Sequence, residues 1–510
     1  MTASRETFDY IVIGAGSAGC VLAEQLSQQP DAHVLLLEAG GTDDLPDVQD
    51  PLKWTSLFYG DLDWCYNTVA QKNCNGRAVH CPRGKMLGGC HSHNANAWVH
   101  GHASDYDNWA YQGNGGWDYR SMLQILKRLE NWSLGGSEYR GDKGPIPVSP
   151  PVDPNPIAQA LVEGAKLVGL PYIEDNNSGR MEGVSYFNMT IKDGLRFSVT
   201  KAYLRPALAR PNLVVHTRAL SHRLVFEGTR CVGVQYAHGG ELRTVRASRE
   251  VIVSAGAINS PQLLMLSGVG PAAELRALGI PVVADLPGVG LNLQDHILLA
   301  GINYECNGDL PTPRNNAAES TMWWKSDSRL YSPDLQPVII EVPFVTPELA
   351  SQVPPNSYAI APGLVRPASR GSVKLKSADP TVAPAIDMNY LGVDADLEAL
   401  LRAVELCREI GGSQAFAPFR KREIMPGKLG RAEMIDFIRN STTTFFHPAG
   451  SCKMGIGADA VVSPELKVHG VSGLRVADAS IMPTVTTGNT NAPSIAIGAK
   501  CADMIQQSTR

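Results

Sequence analysis

The sequence lacks the features of a membrane or secreted protein. No apolar run approaches the ~20 residues that a membrane-spanning helix requires. The opening residues, MTASRETFDYIVIG, lack the basic region, long apolar stretch and cleavage site of a signal peptide. The ten cysteines include no CxxC pair, so we expect buried thiols rather than a disulfide framework or a thiolate metal site. We therefore predict a soluble, cytoplasmic protein.

Charge of either sign is also scarce. Charged residues make up 19% of the chain and the net charge is −5, which gives no electrostatic basis for binding nucleic acid or an anionic membrane. Hydrophobic residues make up 44% of the 510 residues, which is a globular composition. A chain of this length is too long for one ordinary core, so two or more domains are predicted.

The first forty residues do contain a nucleotide-binding pattern. An apolar strand at residues 10–13 runs into Gly14, Gly16 and Gly19, a GxGxxG turn that opens a helix, and a second apolar strand ends at Glu38. The first glycine permits a tight turn, the second lets a pyrophosphate approach the backbone, and the third lets the helix pack closely on the strand. An acid at the end of the second strand accepts hydrogen bonds from an adenosine ribose. This pattern predicts a bound dinucleotide, either NAD or FAD.

The rest of the chain favours FAD. A loop-rich region, VAQKNCNGRAVHCPRGKMLGGCHSHNANAW, replaces the regular run of strand–helix units and is suited to wrapping an extended cofactor. The strand–turn–helix pattern returns in REVIVSAGAINSPQLLMLSGVG, and a last short strand in SGLRVADASIMP runs into Asp478. We therefore predict an α/β nucleotide domain assembled from discontinuous segments.

Two histidines one residue apart follow the paired glycines in GGCHSHNANAW. If His91 and His93 lay in an extended strand, both would face the same side and could bind a metal ion. Alternatively, one imidazole serves other chemistry while the glycines let a flat ligand approach the backbone. No further CxxC or HxxxH pattern supplies metal ligands, so we expect no metal site.

Six collinear segments resemble the glucose–methanol–choline (GMC) flavoprotein oxidoreductases over essentially the full length. They are GAGSAGCVLAEQL, RGKMLGGCHSHNANAWVHGHASDYDNW, GAINSPQLLMLSGVGP, LPGVGLNLQDH, FFHPAGSCKMG and LRVADASIMPTVTTGNTNAPSIAIGAKCADMI. Within the family they are most similar to choline dehydrogenases, choline oxidases and bacterial primary-alcohol dehydrogenases. The resemblance implies a Rossmann-type FAD-binding domain from residues 1–155, 195–298 and 463–510. It also implies an α+β substrate domain with an antiparallel sheet, from residues 156–194 and 299–462.

The resemblance also assigns a catalytic pair. Oxidation of an alcohol requires a group that takes the hydroxyl proton, and the pKa of histidine suits this role near neutral pH. His447 in TTTFFHPAGSCKMG matches the first member of the family's active-site pair, and Asn489 in TTGNTNAPS matches the second. We expect His447 to act as general base or alkoxide stabiliser and Asn489 to orient the substrate oxygen. Further FAD contacts are implied for a set of residues in the matching segments: Gly89, Asn94, Ala95, Asp478, Ala479 and Asn491.

The GGCHSHN segment has a more specific match. Choline oxidases have GGCSSHN at this place, and His93 falls on the histidine that those enzymes bond covalently to the 8α-methyl carbon of the flavin. The resemblance therefore implies covalent FAD through His93, with an ordinary role beside the flavin as the alternative. It assigns no role to His91, which we expect to be structural.

The substrate is less well determined. Glu319 stands close to Trp323 and Trp324 in NNAAESTMWWKSD, and a carboxylate beside aromatic faces suits a quaternary ammonium group. Glu319 matches the choline-directed glutamate of choline oxidases, and Trp64 is expected to form another wall. Phe446 stands where choline oxidases have tyrosine, which favours a different alcohol. The two tryptophans are equally suited to a core or domain-packing role.

The resemblance thus predicts oxidation of a primary alcohol to the aldehyde by hydride transfer to flavin N5. We expect oxygen as the electron acceptor, giving hydrogen peroxide, with a quinone- or dye-linked dehydrogenase as the alternative. A further alternative is a non-redox enzyme of the hydroxynitrile lyase type, which uses the same fold. The expected partners are a small alcohol, the acceptor and a second copy of the chain in a homodimer.

Overall fold

The computed structural model describes residues 7–508. Residues 1–6 and 509–510, the two ends of the expected FAD-binding domain, lie outside this range. The α-helices are α1 (Ser17–Leu26), α2 (Pro46–Gln49), α3 (Ala103–Tyr111), α4 (Tyr119–Leu129), α5 (Pro156–Leu167), α6 (Arg205–Ala207), α7 (Gly256–Leu266), α8 (Ala272–Ala277), α9 (Asp394–Gly412), α10 (Arg431–Ser441) and α11 (Asn491–Ser508).

The strands are mostly short. They are β1 (Thr7–Ile13), β2 (Val34–Leu37), β3 (Tyr66–Asn67), β4 (His80–Cys81), β5 (Glu130–Trp132), β6 (Ile146–Val148), β7 (Gly183–Tyr186), β8 (Ile191–Lys192), β9 (Leu195–Arg196), β10 (Leu213–His216), β11 (Leu220–Glu227), β12 (Arg230–His238), β13 (Glu241–Val253), β14 (Val269–Gly270), β15 (Ala284–Asp285), β16 (Ile297–Leu299), β17 (Asn303–Cys306), β18 (Ser320–Trp323), β19 (Val338–Ile340), β20 (Ser357–Ala361), β21 (Gly363–Leu364), β22 (Ser372–Lys374), β23 (Ala385–Asp387), β24 (Arg420–Met425), β25 (Thr442–Thr444) and β26 (Leu474–Val476).

The largest sheet confirms the predicted α/β fold. Six of its seven strands lie in the order β10-β2-β1-β13-β12-β11, and the seventh, β26, pairs with β13. Strands β10, β2, β1, β13 and β26 pair in parallel, whereas β12 pairs with both β13 and β11 in antiparallel fashion. All four residues of β2 are buried, as expected for a parallel strand covered on both faces. Helix α1 packs on β1 and β2, and α11 packs on α1.

A second sheet confirms the predicted antiparallel layer. Its six strands lie in the order β24-β17-β20-β19-β18-β7, and every neighbouring pair is antiparallel. Helix α5 packs on β7, β18 and β19, while α9 packs on β20 and α5. None of the helices within residues 7–508 is long and apolar enough to cross a membrane.

A third sheet is small and has three strands, in the order β21-β16-β25. Strand β16 covers residues 297–299, so the expected domain boundary at residue 298 falls inside a strand. The described strands of the largest sheet otherwise come from the segments expected for the FAD-binding domain, and those of the six-stranded sheet from the segments expected for the substrate domain. The division into two domains stays a prediction.

Two glycines let helices α1 and α11 pack closely on neighbouring backbone. Gly19 lies in α1, where a Cβ would stand 1.8 Å from the carbonyl oxygen of Gly14. Gly498 lies in α11, where a Cβ would stand 2.6 Å from the carbonyl oxygen of Ala18. Both contacts are with backbone atoms, which cannot rotate away, so α11, α1 and the first turn of the nucleotide site are packed as one unit.

We predict that Gly498→Ala destabilises the protein, because the added methyl group must push α11 away from α1. Overpacking of this kind typically costs about 1–3 kcal/mol of the free energy of unfolding. The matched control is Gly412→Ala at the end of α9, where a Cβ would meet nothing within 4 Å and alanine has the higher helix propensity. Thermal unfolding of the FAD-loaded variants is the measurement. Equal midpoints for the two variants would show that the α1–α11 contact does not limit stability.

Candidate active site

One cavity extends from the glycine-rich turn after β1 to the wall formed by the six-stranded sheet. At one end it is lined by Gly14, Gly16 and Glu38, and at the other by His447 and Asn489. Its remaining lining includes most of the other residues expected to contact FAD: Gly89, His93, Asn94, Ala95, Asp478, Ala479 and Asn491. Gly19 supports the turn from behind, through the close backbone contact described above. The residues predicted from separate segments are therefore brought to one place.

The nucleotide end of the cavity is formed by backbone groups and one acid. The carboxylate of Glu38 accepts hydrogen bonds from the backbone N–H groups of Ala15 and Gly40, both at 2.8 Å. Burial raises the pKa of Glu38 to about 7, against these hydrogen bonds. Gly14 has φ +97°, a conformation that favours glycine and turns the chain sharply from β1 into α1.

Three features of this end fit FAD. A Cβ at Gly16 would meet nothing within 4 Å, so the space beside this backbone is open for a phosphate. Helix α1 begins here without a side-chain cap, which leaves its first amides available to a negative charge. Asn491 donates nothing from its buried Nδ2 atom to any described residue, although its Oδ1 accepts from the Ser17 hydroxyl at 2.8 Å. A buried amide without an acceptor is costly, and a cofactor oxygen would satisfy it.

The catalytic end is assembled by strand pairing. Strands β16 and β25 are antiparallel, with Ile297 opposite Thr444, so the residues just before β16 meet those just after β25. The backbone N–H of Phe445 donates to the carbonyl of His296 at 2.9 Å. Phe446 then adopts φ +69°, a strained conformation for a residue with a side chain, and turns the chain so that His447 lines the cavity.

Asp295 fixes this turn. Its buried carboxylate accepts hydrogen bonds from the Thr444 hydroxyl (2.5 Å), the Tyr390 hydroxyl (2.6 Å) and the backbone N–H of His447 (2.9 Å). Burial raises the pKa of Asp295 above its ordinary value, and the three donors oppose that shift. The position of the His447 backbone is therefore set by a residue 152 positions away in the sequence.

His447 lies between two partners. The amide nitrogen of Asn489 is 3.2 Å from His447 Nε2, and His447 Nδ1 is 2.9 Å from Nδ1 of His296. Because an amide nitrogen only donates, His447 Nε2 is an acceptor and the proton of the neutral ring is on Nδ1. Asn489 is itself held by Gln336, whose Nε2 donates to Asn489 Oδ1 at 3.1 Å. The free electron pair of His447 thus faces the amide that shares its cavity.

Charge and burial keep His447 unprotonated. Burial, the neighbouring His296 ring and the guanidinium of Arg83 all hold the pKa of His447 well below its ordinary value. Arg83 lines the same cavity and donates to the carbonyl of Phe446 at 2.6 Å. A neutral imidazole with an available electron pair is the form that accepts a proton.

The two histidines of GGCHSHN have different positions. His91 lies in a 3₁₀ turn that begins at Gly89, and His93 directly follows the end of this turn. The two histidines are therefore not in an extended strand and do not share a face. His93 lines the cavity against Phe58, with ring centroids 5.1 Å apart, and burial lowers its pKa to about 4. His91 is fully buried, and its Nδ1 accepts from the backbone N–H of Val199 at 3.2 Å. No group of three or more metal-ligating side chains occurs in the described part of the chain.

The structure corrects the expectation for Glu319. Its carboxylate is fully buried and accepts hydrogen bonds at 2.6 Å from the backbone N–H of Asn155 and from the amide of Asn315. The preceding residue, Ala318, lines the cavity, whereas Glu319 does not. Asn155 is the residue that caps the start of α5, so this hydrogen bond places the Glu319 carboxylate at the start of that helix.

Of the four aromatic residues expected around the substrate, two line the cavity, whereas Trp323 and Trp324 do not. Trp64 and Phe446 are part of its lining. Trp323 is instead a fully buried residue of β18 that packs against Phe187, with ring centroids 6.1 Å apart. Its indole lies behind the turn at Gly488, where a Cβ would stand 3.4 Å from Trp323 Nε1. Trp323 therefore supports the loop that carries Asn489.

Sequence reasoning missed the residues that hold the catalytic pair. Asp295 and His296 are the last two residues of LPGVGLNLQDH, a segment identified by its resemblance but given no role. Arg83 is the first residue of RGKMLGGCHSHNANAWVHGHASDYDNW and was likewise given no role, whereas Gln336 lies in none of the matching segments. Only the pairing of β16 with β25 shows that the first two residues meet His447.

Comparison with known proteins establishes the family. The models of the two GMC oxidoreductase domains match residues 8–298 and 367–498. The chain therefore belongs to the GMC oxidoreductase family, as the resemblance predicted. It binds FAD and is an FAD-dependent enzyme that oxidises CH–OH donors.

Individual relatives cover nearly the whole chain. Human mitochondrial choline dehydrogenase is 41% identical, over 99% of this chain and 90% of the relative. The oxygen-dependent choline dehydrogenase of Brucella anthropi is 40% identical, over 98% of this chain and 95% of the relative. The crystal structure of pyridoxine 4-oxidase from Mesorbium loti superposes with a TM-score of 0.94 at 35% identity, covering 98% of this chain and 99% of that one.

We predict that kcat/KM for an alcohol falls on the acidic side with an apparent pKa below about 6.5, the ordinary value for histidine. Only unprotonated His447 accepts a proton, so activity is lost as the pH falls through its pKa, and a lowered pKa moves that loss to more acidic pH. Arg83→Gln removes one cause of the lowering and should move the loss toward higher pH, whereas Arg83→Lys keeps the charge and should not. A wild-type loss centred above about pH 6.5 would contradict this assignment.

Proposed function

We propose that the protein oxidises a small primary alcohol to the aldehyde, with His447 as general base, Asn489 as the group that orients the oxygen, and molecular oxygen as electron acceptor. The observation that carries the proposal is the 3.2 Å separation of His447 Nε2 and Asn489 Nδ2 within the FAD cavity. An acceptor and a donor side by side match a hydroxyl group, which can donate to one and accept from the other.

The cofactor, His447 and Asn489 have separate roles in the proposed reaction. The bound FAD supplies the hydride acceptor. A substrate hydroxyl that enters between the pair donates its proton to His447 Nε2 and accepts from Asn489 Nδ2. Proton removal leaves a negative charge on the alcohol oxygen. This charge favours the departure of a hydrogen from the carbinol carbon as hydride. Asn489, held by Gln336, fixes the oxygen so that the carbinol carbon has one orientation.

His296 has a supporting role in this proposal. Its Nδ1 faces Nδ1 of His447 at 2.9 Å, and burial lowers the pKa of His296 to about 3, so it stays neutral. With the His447 proton on Nδ1, His296 accepts it and fixes the tautomer. A fixed tautomer keeps Nε2 free for the substrate, in the way that a buried partner orients a catalytic histidine.

Two relatives support oxygen as the acceptor. The Brucella anthropi relative is named an oxygen-dependent choline dehydrogenase and the superposed crystal structure is of an oxidase. We therefore propose that the reduced enzyme produces hydrogen peroxide, whereas a quinone-linked dehydrogenase would turn over only with a quinone or dye. The cytoplasmic location and the homodimer stay predictions.

We also propose that His93 would carry the FAD covalently, since it lines the cavity and burial keeps its ring neutral and nucleophilic. The linkage would replace one C–H bond of the flavin 8α-methyl group by a bond to a ring nitrogen of His93, with loss of protons, and the two electrons left on the flavin would pass to oxygen. Acid precipitation of the fully loaded protein should then leave the yellow colour in the pellet, and His93→Ala should release it into the supernatant. His91→Ala is the matched control, because His91 lies outside the cavity lining, and should leave the colour in the pellet. Free FAD from the wild-type protein would contradict the linkage.

We predict that His447→Ala slows anaerobic bleaching of the flavin by an alcohol by about two to four orders of magnitude, the usual contribution of a positioned acid–base group. Asn489→Ala should also slow it, because the oxygen loses its orientation. Both variants should keep FAD, since the glycine-rich turn and Glu38 are unchanged. The flavin absorbance after anaerobic mixing is the measurement. A near-normal rate in His447→Ala would contradict its role, and a wild-type flavin that no alcohol bleaches would indicate non-redox chemistry.

A further inference from the structure

Few charged side chains reach the cavity. Within residues 7–508 its lining contains three, namely Glu38, Arg83 and Asp478. Glu38 is engaged by the backbone of the glycine-rich turn, as described above. The carboxylate of Asp478 accepts from the backbone N–H groups of Gly256 (2.9 Å) and Ser480 (2.7 Å) and from the Ser260 hydroxyl (2.6 Å). Both carboxylates follow strands of the largest sheet and are already satisfied by protein donors.

The third charge is positive and belongs to the catalytic end. The guanidinium of Arg83 donates to the carbonyls of Pro82 (2.5 Å) and Phe446 (2.6 Å), the second being the residue before His447. It makes no ion pair within 4.0 Å with any carboxylate of the described chain. The carboxylates of Asp295 and Asp63 lie near enough to raise the pKa of Arg83, and the charge of Arg83 in turn contributes to the lowered pKa of the His447 ring.

The wall opposite the glycine-rich turn is apolar. The six-stranded sheet and its neighbours place mainly hydrophobic side chains there, chiefly Phe187, Leu298, Val338, Ile340 and Phe445. These residues belong to one buried cluster, separate from the core of the largest sheet. The lining of this wall offers no carboxylate to a substrate.

The two glutamates nearest this wall are held by other groups. Val338 and Ile340 of β19 line the cavity, whereas Glu341, the residue after this strand, does not. Glu341 is fully buried and accepts from the backbone N–H of Arg314 at 3.1 Å. Glu319 accepts from Asn155 and Asn315. Neither glutamate therefore belongs to the cavity lining.

Aromatic faces alone could still attract a cation. The rings of Trp54, Phe58 and Phe446, however, pack on one another, with centroids 5.6–6.0 Å apart. Two of the three contacts are edge-to-face, so these rings form a cluster and not a set of facing walls. Phe446 is also the residue whose carbonyl binds the Arg83 guanidinium.

We infer that the substrate is an uncharged primary alcohol with an apolar body, and that alcohols bearing a quaternary ammonium group, such as choline, are disfavoured. This inference rests on the proposed alcohol oxidation at His447. A buried cation that meets no carboxylate in the substrate wall loses its hydration without compensation. A neutral group of the same shape avoids this cost and gains from contact with the apolar wall.

The test compares choline with 3,3-dimethylbutan-1-ol, which has the same shape without the charge. Anaerobic flavin reduction gives the second-order rate constant for each alcohol independently of the electron acceptor. We expect the neutral alcohol to exceed choline by at least about tenfold, the ratio that 1.4 kcal/mol of discrimination produces. Equal constants, or a larger one for choline, would overturn the inference and leave the proposed oxidation intact. If no primary alcohol reduces the flavin, the proposed function fails, and this inference fails with it.

Variants locate the origin of the preference. Ile340→Glu places a carboxylate in the apolar wall and should raise the rate constant of choline relative to the neutral alcohol, whereas the uncharged control Ile340→Gln should not. Glu319→Gln should leave the ratio unchanged, because Glu319 does not line the cavity and is held by Asn155 and Asn315. A choline preference in the wild-type protein that disappears in Glu319→Gln would show that Glu319 acts on the substrate and would overturn the inference.

Discussion

The active site depends on the buried carboxylate of Asp295. It accepts three hydrogen bonds, from Tyr390, from Thr444 and from the backbone of His447. Breaking such a set leaves a buried charge or acceptor unsatisfied, which typically costs several kcal/mol. This carboxylate joins the segment before β16 to the turn after β25, and it is the anchor that allows Phe446 to hold a strained backbone conformation at φ +69°. Without this carboxylate, no side-chain hydrogen bond from Asp295 would fix the backbone position of His447.

The site is divided between two layers with different physical character. The parallel sheet presents backbone amides, glycines and two engaged acids, which suit an anionic cofactor. The antiparallel sheet and its neighbours present aliphatic and aromatic side chains, while Glu319 and Glu341 do not line the cavity. Between them lie the catalytic residues, on short segments fixed by side-chain hydrogen bonds. The apolar wall lowers the local dielectric constant and so strengthens the electrostatic interactions at His447. One of these is the repulsion between Arg83 and the protonated ring, which lowers the pKa of His447.

The nucleotide-binding half was predictable because its chemistry is local. A strand, three glycines at fixed spacing and an acid at the end of the next strand specify the fold of this half, and the expected cofactor contacts stand within the same forty residues. The proposed catalytic pair, His447 and Asn489, could be named only through resemblance, since neither residue stands in a pattern that indicates such a role. The structure then brings the two side chains together across 42 positions of sequence.

The substrate side was not predictable, for two reasons. A carboxylate near tryptophans in the sequence says nothing about which face of a sheet each residue occupies, and a shift of one position reverses the answer. In this structure Ala318 lines the cavity, whereas Glu319 binds the backbone of Asn155. The residues that support the pair, such as His296 and Gln336, depend on long-range pairing that the local sequence does not encode.

The central claim is that His447 and Asn489 present the carbinol hydrogen of an alcohol to bound FAD for hydride transfer. The most direct measurement compares anaerobic flavin reduction by a neutral primary alcohol with reduction by the same alcohol carrying two deuterium atoms on its carbinol carbon. Hydride transfer predicts slower bleaching with the deuterated alcohol, because the carbon–hydrogen bond breaks as the flavin is reduced. Bleaching at the same rate with both alcohols under conditions where chemistry limits the rate, or no bleaching with either, would contradict it.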